Sequence, residues 1–292
     1  MMFTVKAKKY RLPFSRGILA RSITRTGIEI AEAYHIAEEI GDTLEKKGIE
    51  EIHSEELMET TYHFLVDKNY KKRAKNYMVW RKFRKLGKPI IILIGGGTGI
   101  GKSTIGSELG YRLGIRSIIG TDTVREVMRK IVSTDLLPAL HASSFKAYNR
   151  VESPSSYIDK TIYAFEMQVN YVSVGAEAVI SRAIHEGFNL VVDGIHLVPG
   201  YVDVKKKDSK IFHFILHLKD KEEYTNRFYA RSYTSKRKAK HYVKELNRIL
   251  RIQDFIMDKA KEHNVPLIEN NSAEESVNFI MNRITKELAK EV

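Results

Sequence analysis

Apolar positions recur at helical spacing before Val66, whereas after Pro89 short apolar blocks alternate with longer amphipathic stretches. In the first part, Ile28, Ala31, Tyr34, His35 and Ile36 fall on one helical stripe. Leu57, Met58, Thr61 and Leu65 fall on another, behind a capping Ser54. Phe3 to Val66 therefore reads as a short extended segment followed by a small, mainly helical module. Ten Lys or Arg residues and no acid lie between Lys68 and Lys88, a change of composition that marks a boundary. The expected organisation is a helical module over 1–75, a basic linker over 76–88 and a larger domain over 89–292.

In that larger domain the apolar blocks Ile90 to Ile94, Arg116 to Ile119, Leu190 to Val192, Phe212 to Leu218 and Val265 to Ile268 read as strands, with helical stretches between them. Such alternation predicts an α/β fold whose parallel sheet is covered by helices on both faces. A long, mainly helical insertion is expected at about 133–187.

Composition narrows the chemistry. With 292 residues and 43% hydrophobic content the chain can bury a full α/β core beside a small module. No run approaches the roughly 18 apolar residues of a membrane span, and Met1 to Lys9 lacks the apolar core of a signal peptide, so a soluble, cytoplasmic protein is expected. There is no cysteine, which excludes disulfides, thiolate metal sites and cysteine nucleophiles, and the ten histidines are scattered. The net charge of +13 fits a lysine-rich solvated surface, a polyanionic substrate or nucleic acid. Abundant Lys, Glu and Ile fit a heat-adapted source.

The densest chemical signal is GGTGIGKS, Gly96 to Ser103, which satisfies G-x-x-x-x-G-K-[ST] directly after an apolar strand and before a helix. Its glycines let successive amides face phosphates at a helix N-terminus. Gly96, Gly97, Thr98, Gly99, Ile100, Gly101, Lys102, Ser103 and Thr104 are accordingly the expected ATP-binding residues. Lys102 is expected at the β and γ phosphates and the Ser103 hydroxyl on Mg²⁺.

Ligands of open α/β sheets gather at the carboxyl ends of strands, which singles out two aspartates. Asp122 follows the Ser117 to Ile119 strand, with Arg125 three residues on; the pair could hold an acceptor hydroxyl and an anionic group. Asp193 ends the Leu190 to Val192 strand, where a carboxylate can position Mg²⁺ or its water. Which aspartate takes the acceptor proton is open at this level. His196 is a weaker candidate. Arg227, Arg231 and Arg237 follow the Phe212 to Leu218 strand and form an expected arginine lid at about 227–240, able to neutralise a transferring phosphoryl group. Asn270 and Asn271 lie after the last strand, either near the adenine or capping the next helix.

With those residues in place, Pro89 to about Ile284 resembles the archaeal 2-phosphoglycerate kinases. The resemblance is carried by IILIGGGTGIGKST, IIGTDTVREVMR, LHASSFKA, VVDGIHLVPG and NRFYARS. It implies ATP-dependent phosphorylation of the 3-hydroxyl of 2-phosphoglycerate to 2,3-diphosphoglycerate, toward the cyclic diphosphoglycerate of some methanogens. It also implies Asp122, Arg125 and Arg129, with His141, Ser143, Ser144 and Lys146 of the insertion, as substrate candidates. A glutamate is more usual in the family where Asp193 stands. The N-terminal module, with VKAKKYRLPFSRGILARSI, is similar to an ATP-cone, although it lacks the usual Asp-Gly turn. The expected partner is an anionic small molecule, with no membrane, nucleic acid disfavoured and a homo-oligomer compatible with the sequence. The rival readings are another P-loop kinase, acting on a small molecule or a nucleic-acid end, and an ATP-sensing protein that binds nucleic acid through Lys68 to Lys88.

Overall fold

The computed structural model of the protein describes residues 3–8, 10–154, 159–203, 207–234 and 238–292. Two compact units emerge: Met1–Lys88 with Tyr111–Gly114 and Asn278–Val292, and Pro89–Gly110 with Ile115–Val277.

The first unit opens with β1 (Thr4–Lys6) and β2 (Arg11–Pro13), followed by α1 (Arg16–Thr24), α2 (Ile30–Lys46), β3 (Glu51–His53), α3 (Ser54–Asp67) and α4 (Lys71–Lys85). β1 pairs antiparallel with β2 and parallel with β3, with Val5 opposite Ile52. Phe3 stacks on Phe14 at 4.4 Å beneath this small sheet. The Ser15 hydroxyl caps α1 by accepting from the Ile18 amide.

Three details of this unit differ from the sequence reading. The buried stripe of α2 runs through Ala33, Ile36, Ala37, Ile40 and Leu44, while Tyr34 is exposed. Only Ile36 of the expected helical stripe lies on it, and Ile28 is buried ahead of the helix. Ser54 is not a cap, since His53 holds that position and the Ser54 hydroxyl donates to Glu55. The segment expected as a linker is helix α4 as far as Lys85. Its Ala74, Tyr77, Trp80 and Phe83 recur every third residue and are buried, and the Trp80 indole donates to the Thr285 hydroxyl at 3.0 Å. A stripe of that kind gives a basic segment a reason to fold, with its charges left on the outer face.

The second unit contains a five-stranded, all-parallel sheet of β4 (Ile90–Gly96), β5 (Ser117–Gly120), β6 (Leu190–Asp193), β7 (Lys210–His217) and β8 (Leu267–Glu269), in the order β5-β6-β4-β7-β8. β4 is central and buried along its whole length, as its unbroken apolar run requires. Its register places Ile94 opposite Asp193 and opposite Phe214, and β5 places Gly120 opposite Asp193. The carboxyl ends of β4, β5 and β6 therefore meet at one edge.

Helix α5 (Lys102–Leu113) follows the glycine loop and α6 (Thr121–Ile131) follows β5. The insertion holds two short 3-10 turns, Pro138–His141 and Ser144–Asn149, and the 27-residue α7 (Lys160–Glu186). Asp159 caps α7 by accepting from the Thr161 and Ile162 amides, and Gly187 closes it in the left-handed conformation. The second unit also contains α8 (Lys221–Thr234), α9 (Ala239–Lys244) and α10 (Leu246–Glu262), while α11 (Ala273–Leu288) is divided between the two units at Asn278. Among the described residues, no helix is long and apolar enough to cross a membrane.

Candidate active site

The loop between β4 and α5 is shaped by what lies under it. Gly96, Gly99 and Gly101 have φ of 132°, 86° and 91°, values that favour glycine. A Cβ at Gly96 would stand 2.2 Å from the Leu216 carbonyl, and one at Gly99 would stand 2.3 Å from the Phe228 ring. The underside is braced by polar groups. Asn270 Nδ2 donates to the Ile100 carbonyl at 2.6 Å, and Ser276 Oγ in turn donates to Asn270 Oδ1. Asn270 thus holds the loop through its amide and also lines the cavity above it.

A cavity of about 1080 Å³ opens above the loop within the second unit. Thr98, Gly99, Gly101, Lys102, Ser103 and Thr104 line one side of it, while Gly96, Gly97 and Ile100 form the supporting turn. Lys102 Nζ donates to the Gly97 carbonyl at 2.5 Å. Burial pushes the Lys102 ammonium down to about 8, opposed by the Asp193 and Asp122 carboxylates and assisted by Arg231. All three act on the Lys102 ammonium, and all four groups line the same cavity. Ser103 Oγ donates to Asp193 Oδ2 at 2.6 Å, so the hydroxyl of the loop and the carboxylate at the end of β6 are already joined.

The opposite side is formed by Asp122, Arg125, Ser143 and Ser144. Asp122 sits in the first turn of α6 with its carboxylate 3.6 Å from Arg125 NH2. The Arg125 side chain is only 11% exposed. Its NH1 donates to the Ala142 carbonyl at 3.1 Å, while its buried Nε has no partner. Arg129 Nε is likewise buried without a partner, so what sets Arg125 apart is that its guanidinium lines the cavity, where an anionic group can meet it.

Three expected substrate residues do not line the cavity. Arg129 pairs with Glu126 at 2.6 Å, the His141 ring bonds the Val132 carbonyl, and Lys146 contacts His241. Arg129 finds its partner three residues away and His141 nine residues away, whereas the partner of Lys146 lies 95 residues on in the sequence. Arg227 and Arg231 line the cavity from α8. Arg227 serves as a brace: it donates to Glu223 at 2.6 Å, to the Asn270 carbonyl at 2.7 Å and to the Ile100 carbonyl at 3.3 Å. Arg237 lies outside the described residues.

His196 is fully buried between Thr121 and Gln168, and burial pushes its imidazole down to about 3. Gly194 makes this possible, since a Cβ there would stand 1.7 Å from Thr121 Oγ1. Sequence reasoning missed Gln168 and Thr121, because a polar residue inside a helical stripe carries no local sign of its partners.

Residues 2–86 match the family model for the ATP cone domain. The chain is 46% identical over 288 residues to the 2-phosphoglycerate kinase of Thermococcus kodakarensis, covering 99% of this chain and 98% of that one. It is 48% identical to the 2-phosphoglycerate kinase of Pyrococcus furiosus, covering 94% and 90% respectively. With the 2-phosphoglycerate kinase of Methanopyrus kandleri it shares 42% identity, over 98% of this chain and 88% of the relative. With near full-length similarity to these proteins, the chain belongs to the family of archaeal 2-phosphoglycerate kinases.

Proposed function

We propose that this chain transfers the γ-phosphoryl group of ATP to the 3-hydroxyl of 2-phosphoglycerate, giving 2,3-diphosphoglycerate and ADP, a reaction that in this family leads toward cyclic 2,3-diphosphoglycerate. The observation that carries the reading is the single cavity that joins a phosphate-binding loop to a carboxylate, a buried arginine and two serines on the facing side. An acceptor with a carboxylate and a phosphate matches the Arg125 guanidinium, whose Nε lacks an acceptor.

Within this reading the two aspartates divide the work. Asp193 is joined to Ser103, so this pair of hard oxygen donors fits Mg²⁺, which keeps several waters and takes few protein ligands. When bound, the metal supplies positive charge to the β and γ phosphate oxygens. Asp122, beside Arg125, is left to orient the acceptor hydroxyl and receive its proton as the new O–P bond forms and the bond to the ADP oxygen breaks. Lys102 and Arg231 hold positive charge toward the transferring group. Arg227 keeps the loop in shape through the Ile100 carbonyl, and Ser143 and Ser144 line the acceptor side, the Ser144 hydroxyl donating to Gln168 and left to accept.

The test is direct. Full-length protein is incubated with ATP, Mg²⁺ and 2-phosphoglycerate, and products are followed by phosphorus NMR. Expected are ADP and a new phosphomonoester on the C3 oxygen, with no such product from glycerate, which lacks the 2-phosphate. Equal turnover of glycerate, or no ADP above the acceptor-free rate, refutes the proposal. Asp193→Asn is expected to raise the Mg²⁺ concentration needed for half-maximal rate; a rate loss with unchanged metal dependence would count against its metal role.

A further inference from the structure

Helix α7 buries Ala164, Phe165, Val169, Val172 and Ala176, and in the middle of that apolar stripe stands Gln168, also 0% exposed. A buried amide is unfavourable unless all its groups are bonded, so the partners of this one are informative. Gln168 Nε2 donates to the Ala139 carbonyl at 2.7 Å and to the Ala142 carbonyl at 3.0 Å. Gln168 Oε1 accepts from Ser144 Oγ at 2.8 Å and lies 3.0 Å from His196 Nε2.

Those bonds fix the direction of everything attached to them. Because Nε2 of the amide faces two carbonyls, the atom facing His196 must be the acceptor oxygen. His196 Nε2 therefore carries the proton, and its bare Nδ1 accepts from the Thr121 hydroxyl at 2.9 Å. Four segments meet in this network: α7, the turn carrying Ser144, the loop after β6 and the first residue of α6. The carbonyl of Ala142 is shared with Arg125 NH1, and Thr121 immediately precedes Asp122.

We propose that Gln168 is the positioning residue of the acceptor half of the site, setting Arg125, Asp122 and Ser144 relative to one another without touching the substrate. The proposal rests on the kinase reading above. A purely apolar residue of the same size would fill the stripe and leave two carbonyls, a hydroxyl and an imidazole N–H without this common partner. The nucleotide loop makes none of these bonds, so the effect of losing them is selective.

The test uses full-length protein with Gln168→Met, which keeps the volume and removes the amide. The KM for 2-phosphoglycerate is expected to rise roughly ten- to hundredfold, as leaving buried partners unsatisfied implies. The KM for ATP is expected to stay within about twofold of wild type. Thr121→Val, which removes one hydroxyl at the far end of the network, is expected to shift the acceptor KM in the same direction by a smaller factor, and it carries the test if Gln168→Met does not fold. Nitrogen NMR of wild-type His196 is expected to find the proton on Nε2. Both KM values moving together, neither moving, or a proton on Nδ1 overturns the inference. Wild-type protein inactive on 2-phosphoglycerate refutes the kinase reading instead, and that outcome is visible before any variant is made.

Discussion

Replacing Lys102 by methionine is expected to abolish activity and yet stabilise the ligand-free protein at neutral pH. The fall of the Lys102 ammonium from 10.5 to about 8 means that the fold holds this charge less favourably than water does, chiefly through burial. At about 1.4 kcal/mol for each tenfold change in proton affinity the shift corresponds to about 3 kcal/mol for a fully buried charge, and because Lys102 is only half-buried and faces the cavity, solvent screening reduces its opposition to folding to about 2 kcal/mol. Removing it also removes the hydrogen bond to the Gly97 carbonyl, which returns about 1 kcal/mol. The net gain of about 1 kcal/mol corresponds to a Tm higher by roughly 2–4 °C for a domain of this size. The sign of the pH dependence follows from proton linkage. Below pH 8 both the folded and unfolded chains carry the proton and the full penalty is present. Between 8 and 10.5 the unfolded chain keeps a proton that the folded chain has released, so wild-type stability rises with pH and the advantage of the variant fades. Urea denaturation of both proteins across this range measures the effect directly. Added ATP with Mg²⁺ should reverse the order at pH 7, because a ligand that binds only the folded state stabilises by mass action and the variant has lost its phosphate contact. A Lys102→Met protein less stable than wild type at pH 7, or an advantage that does not shrink on going alkaline, refutes the electrostatic argument.

Arg125→Ala is expected to raise the acceptor KM at least tenfold, whereas Arg129→Ala, whose side chain pairs with Glu126 and does not line the cavity, should leave it within about twofold; the reverse order in steady-state kinetics would move the anion anchor to Arg129. Arg227→Ala removes donors to the Ile100 and Asn270 carbonyls and is expected to raise the KM for ATP by about tenfold. A loss confined to kcat would identify Arg227 as a lid residue instead. Gly194→Ala drives a methyl group into Thr121 and should destabilise the fold by about 1–3 kcal/mol, measured by urea denaturation, with part of the loss recovered when Thr121→Ala is added.

The nucleotide half of this site was legible because its requirements are local. A backbone that must take φ of 132°, 86° and 91° within six residues accepts little but glycine, and the lysine and serine that follow are placed by the helix they begin. The two aspartates were legible for a similar reason, since each stands where an apolar strand ends and the register brings Gly120 and Asp193 side by side. Periodicity failed where packing decides between near-equivalent faces. On α2 the choice between the Tyr34 and the Ala33 faces depends on the neighbours, and a basic run conceals the Ala74, Tyr77, Trp80 and Phe83 stripe that makes α4 a helix.

The acceptor half was harder to read because its parts are held by side-chain hydrogen bonds between segments far apart in sequence. Arg129, His141 and Lys146 have the chemistry of an anion site; the i,i+3 pairing of Arg129 with Glu126 is readable from spacing, but the contact of Lys146 with His241, 95 residues on, is not. Gln168 sits 28 residues from His196 and 24 from Ser144, and although the apolar stripe around it marks a buried face, nothing in its own stretch of α7 names those partners. What distinguishes the two cases is satisfaction of buried polar atoms. Gln168 has every polar group bonded and acts by placing its neighbours, whereas Arg125 lines the cavity with a donor still unpartnered and can also act on something that enters it. That contrast separates the residue that shapes the site from the residue that awaits the ligand.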